Sequence, residues 1–538
     1  MAIFFSLAPI VLLIWMMTKR RSIPSYIALP FTATVVLCIQ LFWFKTDFTL
    51  LGANIITAFI SVLTPITIIA GAIMLNKLMQ ISGAENVVRN WLENISPNPV
   101  AQLMIIGWAF AFTIEGASGF GTPAAIAAPI LVGLGFPAMR VALLTLVMNS
   151  VPVSFGAVGT PTWFGFANLG LSEESVYQIS HYSALIHFVA AFFIPLLALR
   201  FIVSWQEIRR NIVFILLSVL SCTVPYLLLA QVNYEFPALL GGAIGLGISV
   251  MIARAGIGLT KTEQKSEKKV IPFGQVIKAM APTLLLIAIL IVTRIHQLGI
   301  KGLLNSTNVI WEGTLGFLGH ITLSDALIVR LSNVFGTPAA ADYKTLYVPA
   351  LIPFFLVVII GIFLFRLTRS QVKTMFVQTA QQTNKPFIAL FGALIMVNLM
   401  MQGGENAPVY IIGRSLAGAT GENWLWFASY LGALGSFFSG SNTVSNLTFG
   451  GIQQSIAQTT GLNVNLTLAL QSVGGAMGNM VCLNNIIAVC TILGISNAEG
   501  SIIKKTVVPM FIYGLIAAAM AFILTLGIHG TDFVTDIK

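Results

Sequence analysis

Apolar runs long enough to cross a lipid bilayer recur from one end of this chain to the other. Because lipid offers no hydrogen-bond partner to unpaired backbone groups, such runs are predicted to be membrane-spanning α-helices. Only 9% of the 538 residues are charged, against roughly 25% in an ordinary soluble domain. We therefore predict an all-α polytopic membrane protein with about 12 transmembrane helices of roughly 20 residues each. The clearest runs are 2–17, 26–44, 50–75, 183–205, 212–231, 236–253, 276–292, 346–365, 386–401 and 507–526.

The positive charge of the chain follows a membrane topology. The formal net charge is +10, but most basic residues lie near helix ends that one topology places on the same side, which is the positive-inside pattern. A nucleic-acid partner is therefore not predicted. The first run has no basic region before it and is followed by Lys19, Arg20 and Arg21, so we predict a retained helix whose N-terminus lies outside, in the periplasm.

Motifs for enzymatic chemistry are missing from the sequence. The four cysteines and five histidines show no metal-ligand spacing, and no lysine follows a glycine, as a Walker A loop requires. We predict that the chain is not an enzyme, that it has no cofactor and no metal site, and that it is not by itself an ATP-driven pump.

Two stretches rich in glycine, proline and small polar residues interrupt the apolar pattern. They run from about 100 to 161 and from about 423 to 485, and each contains two such breaks around a glycine-centred turn, at Gly135 and Gly461. Basic residues place the start of the first stretch inside and the start of the second outside. Inverted-topology repeats of interrupted or re-entrant helices are typical of secondary transporters, although small residues in membrane helices also serve close packing alone.

The same features divide the chain into five predicted regions. The outer and middle helices are expected to form a scaffold, and the two interrupted stretches a transport domain. The regions are N-terminal scaffold helices (1–98), a first core unit (99–180), middle helices with a cytoplasmic loop at 255–275 and an external segment at 295–345 that contains short helices (181–400), a second, inverted core unit (401–500) and a C-terminal helix (501–538).

Glu115 is the sharpest single candidate because it lies inside the first interrupted stretch. An ionisable group at membrane depth is costly and marks a functional site by default, so we predict that it carries a coupling proton. The alternative is a carboxylate held permanently by hydrogen bonds that bend the segment. Glu405 is a second proton-coupling candidate or an exposed loop acid. Arg140 and Arg414 are candidates to clamp a substrate carboxylate, or, for Arg140, a residue of the membrane interface.

Small and polar residues around the breaks are predicted to bind the solute. Interrupted helices present N-terminal N–H groups and partial positive charge, which suit an anion. Buried amides need partners, and some of the asparagines are expected to be internal struts. The substrate-binding candidates are Gly116, Ser118, Gly119, Gly121, Thr122, Asn149, Ser150, Thr160, Ser441, Asn442, Thr443, Ser445, Asn446 and Asn479.

These segments resemble the lactate permease family of bacterial transporters. The resemblance rests on 115–123 (EGASGFGTP), 131–136 (LVGLGF), 149–161 (NSVPVSFGAVGTP) and 440–446 (GSNTVSN). It implies proton-coupled uptake of L-lactate, and often of D-lactate and glycolate, across the bacterial inner membrane. It also implies a scaffold domain paired with a transport domain, and a homodimer.

The second half departs from the pattern of that family. The family usually has an acid where this chain has Asn442, a lysine where it has Asn479, and Pro-Gln-Ser at 483–485, where this chain has Leu-Asn-Asn. Because acid and base are lost together, the local site stays neutral. Our leading hypothesis is a proton symporter of small 2-hydroxy monocarboxylates whose site lies where 115–123 meets 440–446. The alternative is a carrier of another small organic anion, or a sodium-coupled carrier or cation antiporter, on the same fold.

Overall fold

Helices account for most of the chain in the computed structural model, which describes residues 1–18, 23–119, 122–261, 271–294, 299–348, 350–495 and 498–535. The helices before residue 260 are α1 (Ala2–Thr18), α2 (Ser25–Phe42), α3 (Phe48–Ile81), α4 (Ala84–Glu93), α5 (Pro99–Gln102), α6 (Ala111–Ser118), α7 (Thr122–Gly133), α8 (Ala138–Met148), α9 (Gly156–Trp163), α10 (Glu173–Ala190), α11 (Ile194–Leu199), α12 (Trp205–Arg210), α13 (Ile212–Ala230) and α14 (Pro237–Arg254). Those after it are α15 (Phe273–Arg294), α16 (Ile300–Leu304), α17 (Leu356–Leu364), α18 (Arg369–Met400), α19 (Pro408–Thr420), α20 (Ala428–Ser439), α21 (Asn442–Thr460), α22 (Val464–Gly478), α23 (Leu483–Ile492) and α24 (Glu499–Thr535).

The prediction of a polytopic helical membrane protein is confirmed. Within the described ranges, nine helices are long and apolar enough to cross a membrane, or ten if the bent pair Ala138–Met148 and Val151–Leu169 counts as one span. This is fewer than the predicted dozen. Some apolar runs are divided between shorter elements: the run 183–205 falls on the second half of α10 and on α11, which begins afresh at Ile194 with Pro195 in its first turn.

Two units make up the chain. The first comprises Met1–Asn90 and Val270–Ile411, and the second comprises Trp91–Lys269 and Ile412–Lys538. Both Gly-rich stretches recognised in the sequence, 100–161 and 423–485, fall within the second unit.

The first unit is built on α18, which packs along both α2 and α3. Polar side chains tie these apolar helices together at one end. Gln40 Nε2 donates to the carbonyl of Leu399 at 2.6 Å, and Gln402 Nε2 donates to Asn54 Oδ1 at 3.2 Å. Such bonds specify how helices pair where there is no hydrophobic drive between them.

The described part of the segment predicted to be external with short helices contains one short α-helix, α16, two 3-10 turns (Gly316–Leu318 and Val334–Gly336) and an antiparallel sheet. The strands are β1 (Val309–Thr314), β2 (His320–Ser324), β3 (Ile328–Ser332) and β4 (Ala341–Lys344), paired in that order. Leu331 and Val334 pack with Ala53 of α3 in a small apolar core. β-branched residues in short runs between glycine and asparagine turns favour strands, a signal that the helical reading of this segment missed. Residues 295–298 lie outside the described part.

In the second unit, α13 and α14 approach closely because glycines of α14 face Cys222 of α13. A Cβ added at Gly245 of α14 would lie 2.2 Å from Cys222 Sγ of α13, and one at Gly241 would lie 2.9 Å from the Cys222 carbonyl. Small residues at such contacts let membrane helices pack backbone to backbone.

This contact predicts a difference between two glycines of the same helix. Gly245→Ala should lower the free energy of unfolding by about 1–3 kcal/mol, the usual cost of overpacking. Gly247→Ala is the matched control, because a Cβ there meets no described atom within 4 Å. Thermal unfolding of the two purified variants measures the difference, and equal unfolding temperatures would contradict the packing argument.

Candidate transport site

The carboxyl group of Glu115 is buried inside the second unit, near the C-terminal end of α6. Its side chain is 2% exposed, and Asn149 Nδ2 donates to Glu115 Oε2 over 3.0 Å. Asn149 follows directly after α8, so the two breaks of the first interrupted stretch meet at this hydrogen bond. A buried carboxyl needs such partners, because removing it from water without them costs several kcal/mol.

Glycines make room for the other carboxyl oxygen. A Cβ at Gly156 would lie 2.4 Å from Glu115 Oε1, and one at Gly119 would lie 3.5 Å from the same atom. Gly119 also ends α6 with φ 59° and ψ −155°, a conformation that essentially only glycine adopts. The glycines in this motif therefore shape the space around the carboxyl group.

The backbone after Gly156 is strained. Ala157, Val158 and Gly159 follow one another with φ of 45°, 57° and 70°, and the left-handed conformation costs about 1–2 kcal/mol for each residue with a Cβ. Side chains bond the turned carbonyls: Thr160 Oγ1 donates to the Ala157 oxygen, and Trp163 Nε1 donates to the Val158 oxygen at 3.0 Å. Backbone strain of this kind collects at functional sites.

The second interrupted stretch supplies a helix N-terminus. α20 ends at Ser439, and Gly440 caps it with φ 74°. Ser441 then caps α21, its Oγ accepting from the Val444 N–H at 3.3 Å. The first residues of α21, Asn442 and Thr443, therefore lie at the positive end of a helix of 19 residues.

A small cavity joins the two stretches. Its volume is about 10 Å³, room for about one water molecule, so a small organic anion fits only if the surrounding segments move apart. The cavity lies within the second unit, where 115–123 was expected to meet 440–446. Its lining residues are Glu115, Gly119, Val153, Gly156, Ala157, Pro161, Gly440, Ser441, Asn442, Thr443 and Asn479.

Asn442 is held sideways against α22. Its Nδ2 donates to the carbonyl of Ser472 at 3.0 Å, and a Cβ at Gly475 would lie 1.8 Å from its Oδ1. Among the described atoms this Oδ1 has no hydrogen-bond partner, and the same holds for Asn149 Oδ1. Two buried amide oxygens, one on Asn149 beside the carboxyl group and one on Asn442 of the cavity lining, thus have no described donor.

A chain of amides fixes the position of Asn446. An indole only donates, so Trp424 Nε1 sets the direction by donating to Gln453 Oε1 at 2.7 Å. Gln453 Nε2 donates to Gln471 Oε1, and Gln471 Nε2 donates to Asn446 Oδ1 at 3.4 Å. Asn446 Nδ2 then donates to the Pro161 carbonyl at 2.9 Å, which joins the two stretches. Both polar atoms of Asn446 are used, so it is a strut.

The remaining candidates are spread more widely. A Cβ at Gly116 would lie 2.2 Å from Leu239 N, so that glycine serves helix packing. The hydroxyls of Ser118, Ser150, Thr160 and Ser445 donate to main-chain carbonyls. Asn479 Oδ1 accepts from Asn485 Nδ2 at 3.0 Å.

Other candidates lie away from the cavity lining or beyond what the structure describes. Arg140 and Arg414 are exposed, as is Glu405 in the first unit. Gly121 lies outside the described residues, and Thr122 begins α7. Among the described residues no group of three histidine, cysteine or acidic side chains is arranged to hold a metal ion.

A cluster of three buried, hydrogen-bonded polar side chains beside this site was not identified in the sequence analysis. His187, Ser154 and Ser472 are each 0% exposed and hydrogen-bonded to one another or to a shared partner. His187 was set aside for lack of metal-ligand spacing. A histidine within an otherwise apolar run was the available signal.

Comparison with known proteins decides the family. The family described as L-lactate permease matches residues 2–527. The chain belongs to the L-lactate permease family. A protein named putative L-lactate permease from Haemophilus influenzae is 60% identical over 524 residues, covering 97% of this chain and 98% of that one.

More distant members of this family also match along nearly their whole length. The L-lactate permease of Escherichia coli is 25% identical over 96% of this chain and 95% of its own. The glycolate permease of the same organism is 25% identical over 93% and 92%. The family resemblance seen in the sequence is therefore confirmed, and the chain is a multi-pass membrane protein of a permease family.

The strut role of Asn446 is testable with a nearly isosteric change. Asn446→Asp replaces the donor that faces the Pro161 carbonyl by an oxygen, and we expect the free energy of unfolding to fall by about 3 kcal/mol or more, as for an unpaired buried charge. Asn465→Asp is the control, since Asn465 bonds Gln178 in an exposed position of α22. Thermal unfolding compares the two, and an Asn446→Asp variant as stable as the control would rule out the strut.

Proposed function

We propose that this chain imports L-lactate or a related 2-hydroxy monocarboxylate, such as D-lactate or glycolate, by proton symport, with Glu115 as the proton carrier. The family membership supports the substrate class, because the relatives are named L-lactate permease and glycolate permease. The observation that supports the mechanism is the position of Glu115 in the cavity lining, next to the N-terminus of α21.

Charge repulsion links the proton to the substrate. A carboxylate of the substrate about 4 Å from an ionised Glu115 would be repelled by about 4 kcal/mol at an effective dielectric constant near 20. A helix N-terminus returns only about 0.3–1 kcal/mol of attraction. The anion therefore binds well only when Glu115 holds a proton, and release of the anion frees that proton.

The remainder of the cavity favours Glu115 as the single switch. Among the described residues that line it, Glu115 alone has an ionisable side chain. Asn442 and Asn479, where the family usually has an acid and a lysine, leave the second side of the cavity neutral. The substrate-binding groups in this proposal are Ser441, Asn442, Thr443, Asn479 and the backbone N–H groups that begin α21.

A sodium-coupled mechanism is the second candidate. The buried oxygens Asn149 Oδ1 and Asn442 Oδ1 have no described hydrogen-bond partner, and amide oxygens are suitable ligands for a hard cation. In that mechanism the cation, rather than a proton, would neutralise Glu115.

The location of the cavity supports different roles for the two units in this proposal. The second unit contains the transport site, and the first unit serves as scaffold. We place the protein in the bacterial inner membrane, with its N-terminus in the periplasm, as a homodimer that uses no cofactor.

Uptake into liposomes separates these mechanisms. With purified protein and an imposed gradient of one pH unit, equivalent to about 1.4 kcal/mol per proton, labelled L-lactate should accumulate about tenfold over a protein-free control. Glu115→Gln should abolish this accumulation while exchange of labelled for unlabelled lactate continues, because the amide mimics the protonated carboxyl group.

Glu405→Gln is the matched control and should accumulate lactate as the unchanged protein does. Accumulation driven by a sodium gradient alone would replace the proton mechanism by the second candidate. Normal accumulation by Glu115→Gln would show that Glu115 has only a structural role. If the unchanged protein neither accumulates nor exchanges lactate or glycolate, the proposed substrate class is excluded.

A further inference from the structure

A buried histidine joins two helices that lie outside the interrupted stretches. His187 of α10 is 0% exposed, and its Nδ1 is hydrogen-bonded to the hydroxyl of Tyr513 in α24. Its Nε2 lies 2.8 Å from Ser154 Oγ. Tyr226 packs edge-on against the same imidazole, with ring centroids 6.2 Å apart.

Ser154 connects His187 to the second interrupted stretch, because its Oγ is hydrogen-bonded to both. It belongs to the 3-10 turn Val151–Phe155, directly before the strained segment. Its Oγ lies 3.2 Å from the Ser472 carbonyl, and Ser472 Oγ donates to it at 3.0 Å. The same Ser472 carbonyl accepts the Asn442 Nδ2 bond. Four hydrogen bonds therefore lead from Tyr513 to a residue of the cavity lining.

Counting the hydroxyl and imidazole protons shows which group donates in each hydrogen bond of this series. Ser154 Oγ has one proton and two acceptor positions. If it donates to the Ser472 carbonyl, its acceptor positions are filled by Ser472 Oγ–H and by an N–H on His187 Nε2. Nδ1 of the neutral ring is then an acceptor, and the Tyr513 hydroxyl donates to it. Each of the bonds between Tyr513 and the Ser472 carbonyl then has one donor and one acceptor, as a buried polar network requires.

The far end of the series has little freedom to adjust. Asn442 is confined between the Ser472 carbonyl and Gly475, where even a Cβ would collide with its Oδ1. We therefore expect a change in the partners of the Ser472 carbonyl to displace Asn442 rather than to be absorbed by rotation of its side chain.

We infer that His187 is a positioning residue, which holds Asn442 in place at the cavity through Ser154 and the Ser472 carbonyl. His187 itself does not line the cavity. The inference rests on the proposed function only in that Asn442 contacts the substrate, and it assigns affinity for the substrate, rather than the rate of turnover, to this buried series.

Uptake kinetics test the inference. Loss of one hydrogen bond of ordinary strength corresponds to up to about a tenfold change in affinity. His187→Leu should therefore raise KM up to about tenfold with little change in the maximal rate. His187→Gln retains an N–H at a similar distance and should recover much of the affinity, and Tyr513→Phe should raise KM less than His187→Leu does.

A double-variant comparison separates positioning from general disturbance. Asn442→Ala removes the side chain that the series holds, so adding His187→Leu to it should change KM less than twofold. Multiplication of the two single effects, or a fall in the maximal rate at unchanged KM, would overturn the inference, as would a His187→Gln variant no better than His187→Leu.

Stability measurements keep the inference testable if lactate and glycolate are not carried. In substrate-free protein, the fall in melting temperature of Ser154→Ala combined with Tyr513→Phe should be smaller than the sum of the two single falls, because both act on His187. Simple addition would contradict the series. Failure of uptake by the unchanged protein, together with a non-additive result here, would refute the proposed function alone.

Discussion

The hydrogen bond between Asn149 and Glu115 is the interaction on which the rest of the site depends. A carboxyl group buried among membrane helices is tolerated only with partners of this kind. The bond brings together the end of α6 and the end of α8, and the glycines at 119 and 156 leave the second oxygen space beside it. The cavity, the strained turn after Gly156 and the approach of α21 are all arranged around that carboxyl group.

Two sets of polar contacts connect the interrupted stretches, and they have different consequences. The amide series from Trp424 ends at the Pro161 carbonyl and uses both polar atoms of the Asn446 side chain, so it stabilises the unit without offering anything to a ligand. The series from Tyr513 ends at Asn442, which borders the cavity and has an amide oxygen without a described partner. Stability and recognition are thus assigned to neighbouring asparagines of one helix, one turn apart.

Part of this arrangement could be predicted from the sequence. A lone acid within an apolar, glycine-rich stretch predicts a buried functional group at Glu115, and the glycine and asparagine breaks predict that 115–123 and 440–446 meet. The role of Asn446 could not be predicted, because its partners lie 285 residues away at Pro161 and 25 residues away at Gln471. The sheet at 309–344 was missed because hydropathy does not distinguish short strands from short helices, and His187 because spacing reveals metal sites but not hydrogen-bonded ones.

The central claim is that the substrate anion binds together with a proton on Glu115. Calorimetric titration of the purified protein with L-lactate, in buffers of different ionisation enthalpy near neutral pH, measures that proton directly. The account predicts proton uptake on binding by the unchanged protein, and binding without proton uptake by Glu115→Gln. Lactate binding to the unchanged protein that takes up no proton, across the pH range in which transport is driven, would contradict it.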